Sequence, residues 1–295
     1  MSSAFSTTSP ITGNATSATG DGAPARRIAI VSGTGKTGRA IAEAVRALGA
    51  LPVPLGRKEL TDPVAALRGC QAAYLMAPNL HGDELELTEK LLNACHLAGI
   101  ERIVYHSVAA AYAPSMPHHL AKAESEDRVR RSSLPFTIVQ PCAYVDNVLP
   151  GLRSASPGIS VAYNPDTPFG LIGLRDVGEA AARLLTSNDH LGATLELGGP
   201  RLVSIREVVQ VASRVLGTAV ALNVITPADW AREQEARGAE SGLDAREREW
   251  LTAMFDYYDY YGLPCGSSGI PAILGREARA VDEVIIGELF GNLDE

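Results

Sequence analysis

Apolar and polar positions alternate between two periods along this chain. Short apolar runs, typical of buried strands, are followed by stretches with apolar side chains three or four positions apart, typical of helices. The runs predict strands at Arg27–Ser32, Leu51–Leu55, Ala72–Met76, Arg102–Ser107, Phe136–Gln140 and Ala193–Leu197. Helices are predicted at Lys36–Leu48, Pro63–Arg68, Asp83–Ala98, His118–Arg131 and Val177–Leu185, the last capped by Asp176. This alternation predicts an α/β fold with a doubly wound parallel sheet.

A cluster of glycines separates the first predicted strand from the first predicted helix. Gly33, Gly35 and Gly38 form a Gly-x-Gly-x-x-Gly pattern, which at a strand-to-helix junction is typical of dinucleotide binding. The first glycine allows a tight turn, the second lets the backbone approach a pyrophosphate, and the third lets the helix pack close to the strand. A nucleoside-triphosphatase loop is excluded, because in the register that uses Lys36 its first glycine is replaced by Ile30.

The end of the second predicted strand bears on the choice of nicotinamide cofactor. An NAD site usually has Asp or Glu there, which accepts a hydrogen bond from the ribose 2′-hydroxyl. This chain has Gly56, Arg57 and Lys58 instead, and two cations suit a 2′-phosphate. We therefore expect NADP(H), with NAD(H) kept as an alternative because Glu59 follows directly.

The second half of the chain is less regular than the first. Further strands are predicted at Gly158–Tyr163, Phe169–Gly173 and Val220–Val224, and further helices at Ser204–Leu216, Pro227–Arg237, Asp244–Tyr261 and Arg279–Leu289. We therefore predict a dinucleotide-binding Rossmann domain over residues 26–150, and the remaining sheet strands with a small substrate-binding lobe over 151–295. Residues 1–25, rich in Ser, Thr, Gly and Ala, are predicted to be a disordered tail.

Composition and charge exclude several classes of protein. The net charge of −8 argues against a dedicated nucleic-acid surface. No apolar run approaches the roughly 18 residues of a membrane span. The four scattered cysteines, without a Cys-x-x-Cys pair, argue against a metal site and fit a reducing cytosol. We expect a cytoplasmic protein that acts on a small-molecule substrate, as a monomer or a homodimer, without nucleic acid or membrane as a partner.

A hydroxyl, an imidazole and an amine are predicted to meet at the sheet edge where the cofactor is expected. Ser107 ends the fourth predicted strand, and His118 and Lys122 share a helix face because they are four residues apart. Beside a nicotinamide, His118 would serve as the acid, and Lys122 would orient the ribose and stabilise charge. Two structural alternatives stay open: His118 as a surface residue, and Lys122 paired with Glu126 one helical turn on.

Several stretches of the chain resemble one known family. They are Val31–Gly38, Tyr74–Pro78, Val104–Ser107, the helix with His118, Lys122 and Glu126, Leu134–Pro141 leading to Tyr144–Asn147, and Phe169–Leu185. Together they resemble the NmrA-like group of atypical short-chain dehydrogenase/reductases, from roughly Arg27 to the C terminus. The chain departs from the family at Gln140, where many relatives have Arg. It also has His118 where a Tyr-x-x-x-Lys unit would have its tyrosine.

The resemblance implies an NAD(P)-binding Rossmann domain with a small C-terminal lobe, and it implies roles for particular residues. The pyrophosphate would be held by Gly33, Gly35, Lys36, Thr37 and Gly38, and the adenosine phosphate by Arg57 and Lys58. Ala77 and Pro78 would line the path of the ribose and nicotinamide, Lys122 would contact the nicotinamide ribose, and Pro141, Cys142 and Tyr144 would flank the nicotinamide. Tyr144 and Asn147 would border the substrate pocket.

The leading functional hypothesis is an NADPH-dependent oxidoreductase that transfers hydride to a small apolar carbonyl, quinone or enone. Tyr257, Tyr258, Tyr260 and Tyr261 could add an aromatic wall to the substrate pocket, or could divide between core and surface. Two alternatives remain. The first is a regulator that senses the dinucleotide without catalysis, and the second is an isomerase or cyclase that uses the bound cofactor structurally.

Overall fold

A parallel sheet is the centre of the molecule, which the computed structural model describes over residues 25–291. In chain order the strands are β1 (Arg27–Val31), β2 (Leu51–Leu55), β3 (Ala72–Leu75), β4 (Arg102–His106), β5 (Phe136–Pro141), β6 (Gly158–Val161), β7 (Thr194–Leu197) and β8 (Ala221–Val224). Six of them pair in the order β2-β1-β3-β4-β5-β7, and every neighbouring pair is parallel. The predicted doubly wound α/β fold is confirmed.

Helices cover both faces of this sheet. In chain order they are α1 (Lys36–Ala47), α2 (Pro63–Leu67), α3 (Glu84–Ala98), α4 (Pro117–Arg131), α5 (Leu149–Leu152), α6 (Leu174–Thr186), α7 (Ile205–Leu216), α8 (Pro227–Arg237), α9 (Ala245–Tyr261), α10 (Gly269–Leu274) and α11 (Val281–Phe290). Ile28 and Val104 share one core with side chains of α1 and α6, and Ala29 and Ile103 share another with side chains of α3. Burial on both faces explains why the strands are apolar runs. Over residues 25–291, no helix is both long and apolar enough to cross a membrane.

The strand order reverses beside β1. The chain adds β2 on one side of β1 and then returns to place β3 on the other side. In open α/β sheets, ligands bind outside the carboxyl ends of the strands at such a switch point. Because β2 is an edge strand, it tolerates Pro52 and Pro54, which have no backbone N–H to donate.

The chain after β5 both extends the sheet and builds a small lobe. β7 joins the main sheet, whereas β6 and β8 form a separate parallel pair and α9 packs against α8 and α4. The aromatic residues of α9 divide between core and surface: Tyr258 is buried against Phe169, and Tyr260 and Tyr261 are exposed. The domain boundaries stay a prediction, and residues 1–24 of the predicted tail lie outside the described range.

One predicted strand is wrong, and two helices, α5 and α10, were not predicted. Phe169–Gly173 belongs to neither sheet, because Phe169 makes isolated bridges to Val203 and Leu263 instead of a continuous ladder. Helix α10 follows a glycine-rich stretch that gave no helical pattern. Apart from the start of α6, the other predicted elements are present, and their ends shift by the one or two residues usual at such boundaries.

The start of α6 corrects a second prediction. The helix begins at Leu174 instead of Val177, so Asp176 lies inside its first turn and does not cap it. The capping carboxylate comes from a different part of the chain: Asp146 accepts a hydrogen bond from the backbone N–H of Leu174 at 2.9 Å. A helix start needs such acceptors because its first N–H groups have no partner within the helix.

Asp176 instead holds the C-terminal segment against α6. It is fully buried, and its carboxylate accepts the backbone N–H of Arg279 at 2.7 Å and the Arg276 guanidinium at 2.7 Å. The Arg279 guanidinium also pairs with it, and Glu179, on the same helix face, pairs with both arginines. A buried carboxylate requires charged partners of this kind.

We expect Asp176→Ala to lower the free energy of unfolding by at least about 2 kcal/mol, because charge-assisted hydrogen bonds contribute about 1.5–3 kcal/mol each. The matched control is Asp189→Ala, whose carboxylate is 63% exposed in its pair with Arg183. That change should cost less than about 1 kcal/mol. Urea denaturation measures both values, and equal losses would contradict the role given to Asp176.

Candidate dinucleotide and substrate site

The glycine turn after β1 is shaped by two close contacts and one open side. A Cβ on Gly33 would lie 2.6 Å from the carbonyl oxygen of Ile30, and a Cβ on Gly38 would lie 2.5 Å from the Cα of Gly33. No side chain fits at either position. At Gly35, which is exposed, the nearest atom to a Cβ would be the carbonyl oxygen of Ser32 at 3.5 Å. The turn is therefore closed towards the protein and open on the side of Gly35.

Helix α1 starts at this turn without a side-chain cap. Gly35 is its N-cap residue and makes no side-chain capping bond within the described chain, and its carbonyl accepts the N–H of Arg39 at 2.9 Å. The N–H groups of Lys36, Thr37 and Gly38 therefore precede the first helical hydrogen bond. The first turn contains no acidic side chain. Free N–H groups at the positive end of a helix suit a pyrophosphate, so these residues fit the predicted ligand.

Ser32 fixes the turn to the neighbouring strand. Its φ of 56° is in the left-handed region, which costs a non-glycine residue of the order of 1 kcal/mol. In this conformation its hydroxyl donates to the carbonyl of Met76 at 2.9 Å, at the end of β3. Ala77 and Pro78 follow immediately, the first buried and the second half-buried. The glycine turn and the predicted ribose path are thus joined at the switch point.

The cationic turn after β2 lies beside the glycine turn. A Cβ on Gly56 would lie 3.7 Å from the Thr34 side chain, and the adjacent Arg57 and Lys58 are exposed. Glu59 accepts the backbone N–H of Gly56 at 2.8 Å, and this hydrogen bond lowers the pKa of its carboxyl group. The Glu59 carboxylate, which was the reason to keep NAD(H) as an alternative cofactor, is therefore engaged in a hydrogen bond that closes the turn.

Lys122 lies at the carboxyl end of β4 in a buried ion pair. Its Nζ is 2.5 Å from Oε1 of Glu84 and donates to the carbonyl of His106 at 3.3 Å. Tyr105 donates to the same oxygen of Glu84 at 2.8 Å. The structure pairs Lys122 with Glu84 and not with Glu126, the partner considered from sequence spacing.

Glu126 is instead the centre of a second buried cluster. Its Oε1 accepts the Ser107 hydroxyl at 2.5 Å and the Gln140 amide at 2.6 Å, and its Oε2 accepts the Arg130 guanidinium at 3.1 Å. Ser107 is thus directed towards α4. Gln140 supplies an uncharged donor to this carboxylate.

His118 does not join Ser107 in the way that the sequence analysis predicts. Its ring is buried and lies 5.9 Å from the ring of Trp250 on α9. Burial, together with the charge of Lys122, lowers the pKa of His118 to about 3. At neutral pH the imidazole is therefore uncharged and has no imidazolium proton to donate, and Ser107, His118 and Lys122 each contact a different partner.

A histidine that the sequence analysis missed, His106, contacts Tyr144, which is predicted to flank the nicotinamide. His106 is hydrogen-bonded through Nδ1 to the hydroxyl of Tyr74, and its Nε2 is 3.1 Å from the hydroxyl of Tyr144. Burial, with the charge of Lys122, lowers the pKa of His106 to about 3. The alternation of side chains along strands could have indicated the Tyr74–His106 pair. Tyr74 lies opposite Val104 in the register of β3 and β4. His106 is two residues further along β4, so its side chain is on the same face of the sheet as that of Val104.

Tyr144 and Asn147 connect this pair to the start of α1. The Asn147 side-chain oxygen accepts a hydrogen bond from Lys36 Nζ at 3.0 Å, and the Tyr144 side chain lies near that of Thr37. Residues predicted from the resemblance to contact the cofactor and residues predicted to contact the substrate therefore meet at one place. The backbone there is held by the N–H of Val145, which donates to the carbonyl of Ile172 at 3.0 Å.

A parallel sheet with a switch point, a glycine turn and an uncapped helix start is the architecture of a dinucleotide-binding Rossmann protein. The chain belongs to the NmrA-like family, whose sequence model matches residues 56–281. The family predicted from the sequence is confirmed.

Reductases are among the similar proteins. A (4-alkanoyl-5-oxo-2,5-dihydrofuran-3-yl)methyl phosphate reductase of Streptomyces griseus is 33% identical over 52% of this chain. The match covers only 54% of that relative's length. An NAD(P)H azoreductase of Xenophilus azovorans is 26% identical over 81% of this chain and 83% of its own. An Escherichia coli NADPH-dependent quinone oxidoreductase, solved with NADPH, has a TM-score of 0.72 at 20% identity and covers 88% of this chain and 98% of its own. That structural likeness shows a shared fold.

The glycine turn gives a paired prediction. Gly35→Ala should change the free energy of unfolding by no more than about 1 kcal/mol, because its Cβ makes only an ordinary van der Waals contact, 3.5 Å from the Ser32 carbonyl oxygen. It should nevertheless weaken NADPH binding at least about tenfold, because the Cβ displaces the pyrophosphate from the helix N–H groups. Gly38→Ala should itself cost about 1–3 kcal/mol through overpacking.

Thermal unfolding and calorimetric titration with NADPH measure the two effects separately. Unchanged NADPH affinity in Gly35→Ala would contradict the assignment of this turn to the pyrophosphate.

Proposed function

We propose that this protein is an NADPH-dependent oxidoreductase that reduces a small apolar carbonyl, quinone or enone. The observation that carries the proposal is the open side of Gly35 at the uncapped start of α1, with the two exposed cations of the β2 turn beside it. Two similar proteins, one described as a reductase and the other as an NAD(P)H azoreductase, support the same class of reaction.

The cofactor would lie along the carboxyl edge of the sheet. Its diphosphate would accept from the N–H groups that open α1, and its 2′-phosphate would contact Arg57 and Lys58. Ala77 and Pro78 would border the ribose. The edge near Tyr144 and Asn147 would then receive the nicotinamide and the substrate.

The protein groups at that edge are suited to orient the substrate and to polarise its reacting bond. Bound NADPH supplies the hydride for the reduction. Lys122, fixed by Glu84, places positive charge at the end of β4, where it favours negative charge developing on a substrate oxygen. The Tyr144 hydroxyl is an uncharged donor in the segment after β5, near Thr37 in the first turn of α1. Burial of these groups strengthens such interactions.

The function is tested by mixing the purified protein with NADPH and a panel of quinones and enones, and following the loss of reduced-nicotinamide absorbance. Substrate-dependent NADPH oxidation with a defined product supports the oxidoreductase. Tight NADPH binding without turnover on any member of the panel would contradict it and favour the dinucleotide-sensing regulator.

Cofactor preference gives the next prediction. We expect Arg57→Ala combined with Lys58→Ala to weaken NADPH binding roughly ten- to hundredfold, because a charge-assisted contact is worth about 1.5–3 kcal/mol. NADH binding should change little, because NADH has no 2′-phosphate. Arg46→Ala, an exposed cation at the opposite end of α1, is the matched control. Equal weakening of both cofactors in calorimetric titrations would contradict the phosphate assignment.

Lys122 is expected to have a structural and a catalytic contribution that can be separated. Lys122→Met leaves Glu84 buried without its counter-charge, which should cost about 3–5 kcal/mol of unfolding free energy. Adding Glu84→Gln should recover most of that stability. We expect kcat to stay at least about tenfold below wild type in the double variant, because the charge near the reacting oxygen is still absent.

Urea denaturation and steady-state kinetics of the same preparations separate these two effects. Recovery of wild-type kcat in the double variant would show that Lys122 acts only through stability.

A further inference from the structure

We propose that Tyr144 donates the proton that completes the reduction, and that Tyr74 and His106 are positioning residues that direct its hydroxyl proton outward. The proposal rests on the proposed function, and it narrows the substrates to acceptors on which hydride transfer leaves a negative charge on oxygen. The observation behind it is a hydrogen-bonded chain in which one histidine joins two tyrosines.

The direction of the hydrogen bonds follows from Tyr74. Its side chain is fully buried, and in the described chain its hydroxyl has one hydrogen-bond partner, Nδ1 of His106. If His106 carried its proton on Nδ1, the Tyr74 proton would have no acceptor, which costs about 1–3 kcal/mol in a buried site. Tyr74 therefore donates to Nδ1, and the neutral ring carries its proton on Nε2.

This tautomer determines what Tyr144 can do. Nε2–H of His106 donates to the Tyr144 oxygen across 3.1 Å. Tyr144 then accepts a hydrogen bond from His106, so its own hydroxyl proton can be donated to another acceptor. Thr37, in the first turn of α1 where the cofactor is proposed to bind, lies near the Tyr144 side chain.

Burial keeps this arrangement constant at working pH. His106 lies between the charge of Lys122 and an apolar core, and both disfavour the imidazolium, so its pKa falls to about 3. A neutral ring has one donor and one acceptor nitrogen, and the chain from Tyr74 to Tyr144 uses both. A protonated ring would have two donors and would leave Tyr74 without an acceptor.

The reaction balances with these groups. A hydride supplied by bound NADPH would go to the substrate carbon, and the carbon–oxygen π electrons would move to the oxygen, directly or through the conjugated double bond. The O–H bond of Tyr144 breaks and its proton bonds to that oxygen. The products would be NADP⁺ and an alcohol or an enol, and the enol formed from a quinone would tautomerise to the hydroquinone. The Tyr144 oxygen, held by Nε2–H of His106, regains a proton from water when the product leaves.

The other groups at the edge are less suited to this role. Lys122 is bound to Glu84 and to the carbonyl of His106, and His118 is neutral and packed on Trp250. Ser107 donates to Glu126. Of the two tyrosines in this hydrogen-bonded series, Tyr74 is fully buried and Tyr144 is half-buried, so only Tyr144 reaches accessible space.

The test compares wild type with Tyr144→Phe and Tyr74→Phe, each of which removes one oxygen atom. We expect Tyr144→Phe to lower kcat for a benzoquinone or an enone about 100-fold or more, as for loss of a general acid, with little change in NADPH affinity. Tyr74→Phe lets the His106 proton move to Nδ1, which turns the Tyr144 proton inward. Its kcat should fall about tenfold. Tyr163→Phe, whose ring packs against Phe169 and Phe255, is the matched control.

The solvent isotope effect separates proton donation from structural damage. Single-turnover NADPH oxidation should be slower in D₂O for wild type, and this sensitivity should disappear in Tyr144→Phe. Rates within threefold of wild type in Tyr144→Phe, or an unchanged isotope effect, would overturn the proposal and leave the proposed function intact. Absence of NADPH oxidation in wild type would overturn both. Calorimetric NADPH binding checks that each variant is folded.

Discussion

The close contact between Gly33 and Gly38 is the constraint on which the rest of the site depends. It brings the first turn of α1 against the end of β1, so that helix N–H groups face the carboxyl edge of the sheet at the switch point. Ser32 and Met76 fix the same turn to β3. Without this contact the helix start would move away from the strands that deliver the other site residues.

The remaining site residues are positioned in pairs and small clusters by buried polar contacts. Glu84 holds Lys122, Glu126 holds Ser107 and Gln140, and His106 holds Tyr144. Each buried polar group is costly without its partner, and this cost makes the geometry specific. The carboxyl edge of the sheet is therefore a prearranged surface before a ligand arrives.

The sequence predicted the parts of this structure that depend on local pattern. Apolar runs predicted the strands, and glycine spacing predicted the turn at Gly35. Contacts between distant parts of the chain were not predictable in this way. Spacing offered Glu126 as the partner of Lys122, whereas the start of another helix supplies Glu84. Asp176 fits a capping pattern, but the fold uses Asp146 to cap α6. His106 was missed because its partners, Tyr74 and Tyr144, come from β3 and from the segment after β5.

A crystal structure of the protein with NADP⁺ tests the central claim most directly. The account predicts that the diphosphate lies within hydrogen-bond distance of the N–H groups of Lys36, Thr37 and Gly38, with the 2′-phosphate beside Arg57. A diphosphate bound elsewhere, with the N–H groups that open α1 facing only water or protein atoms, would contradict it.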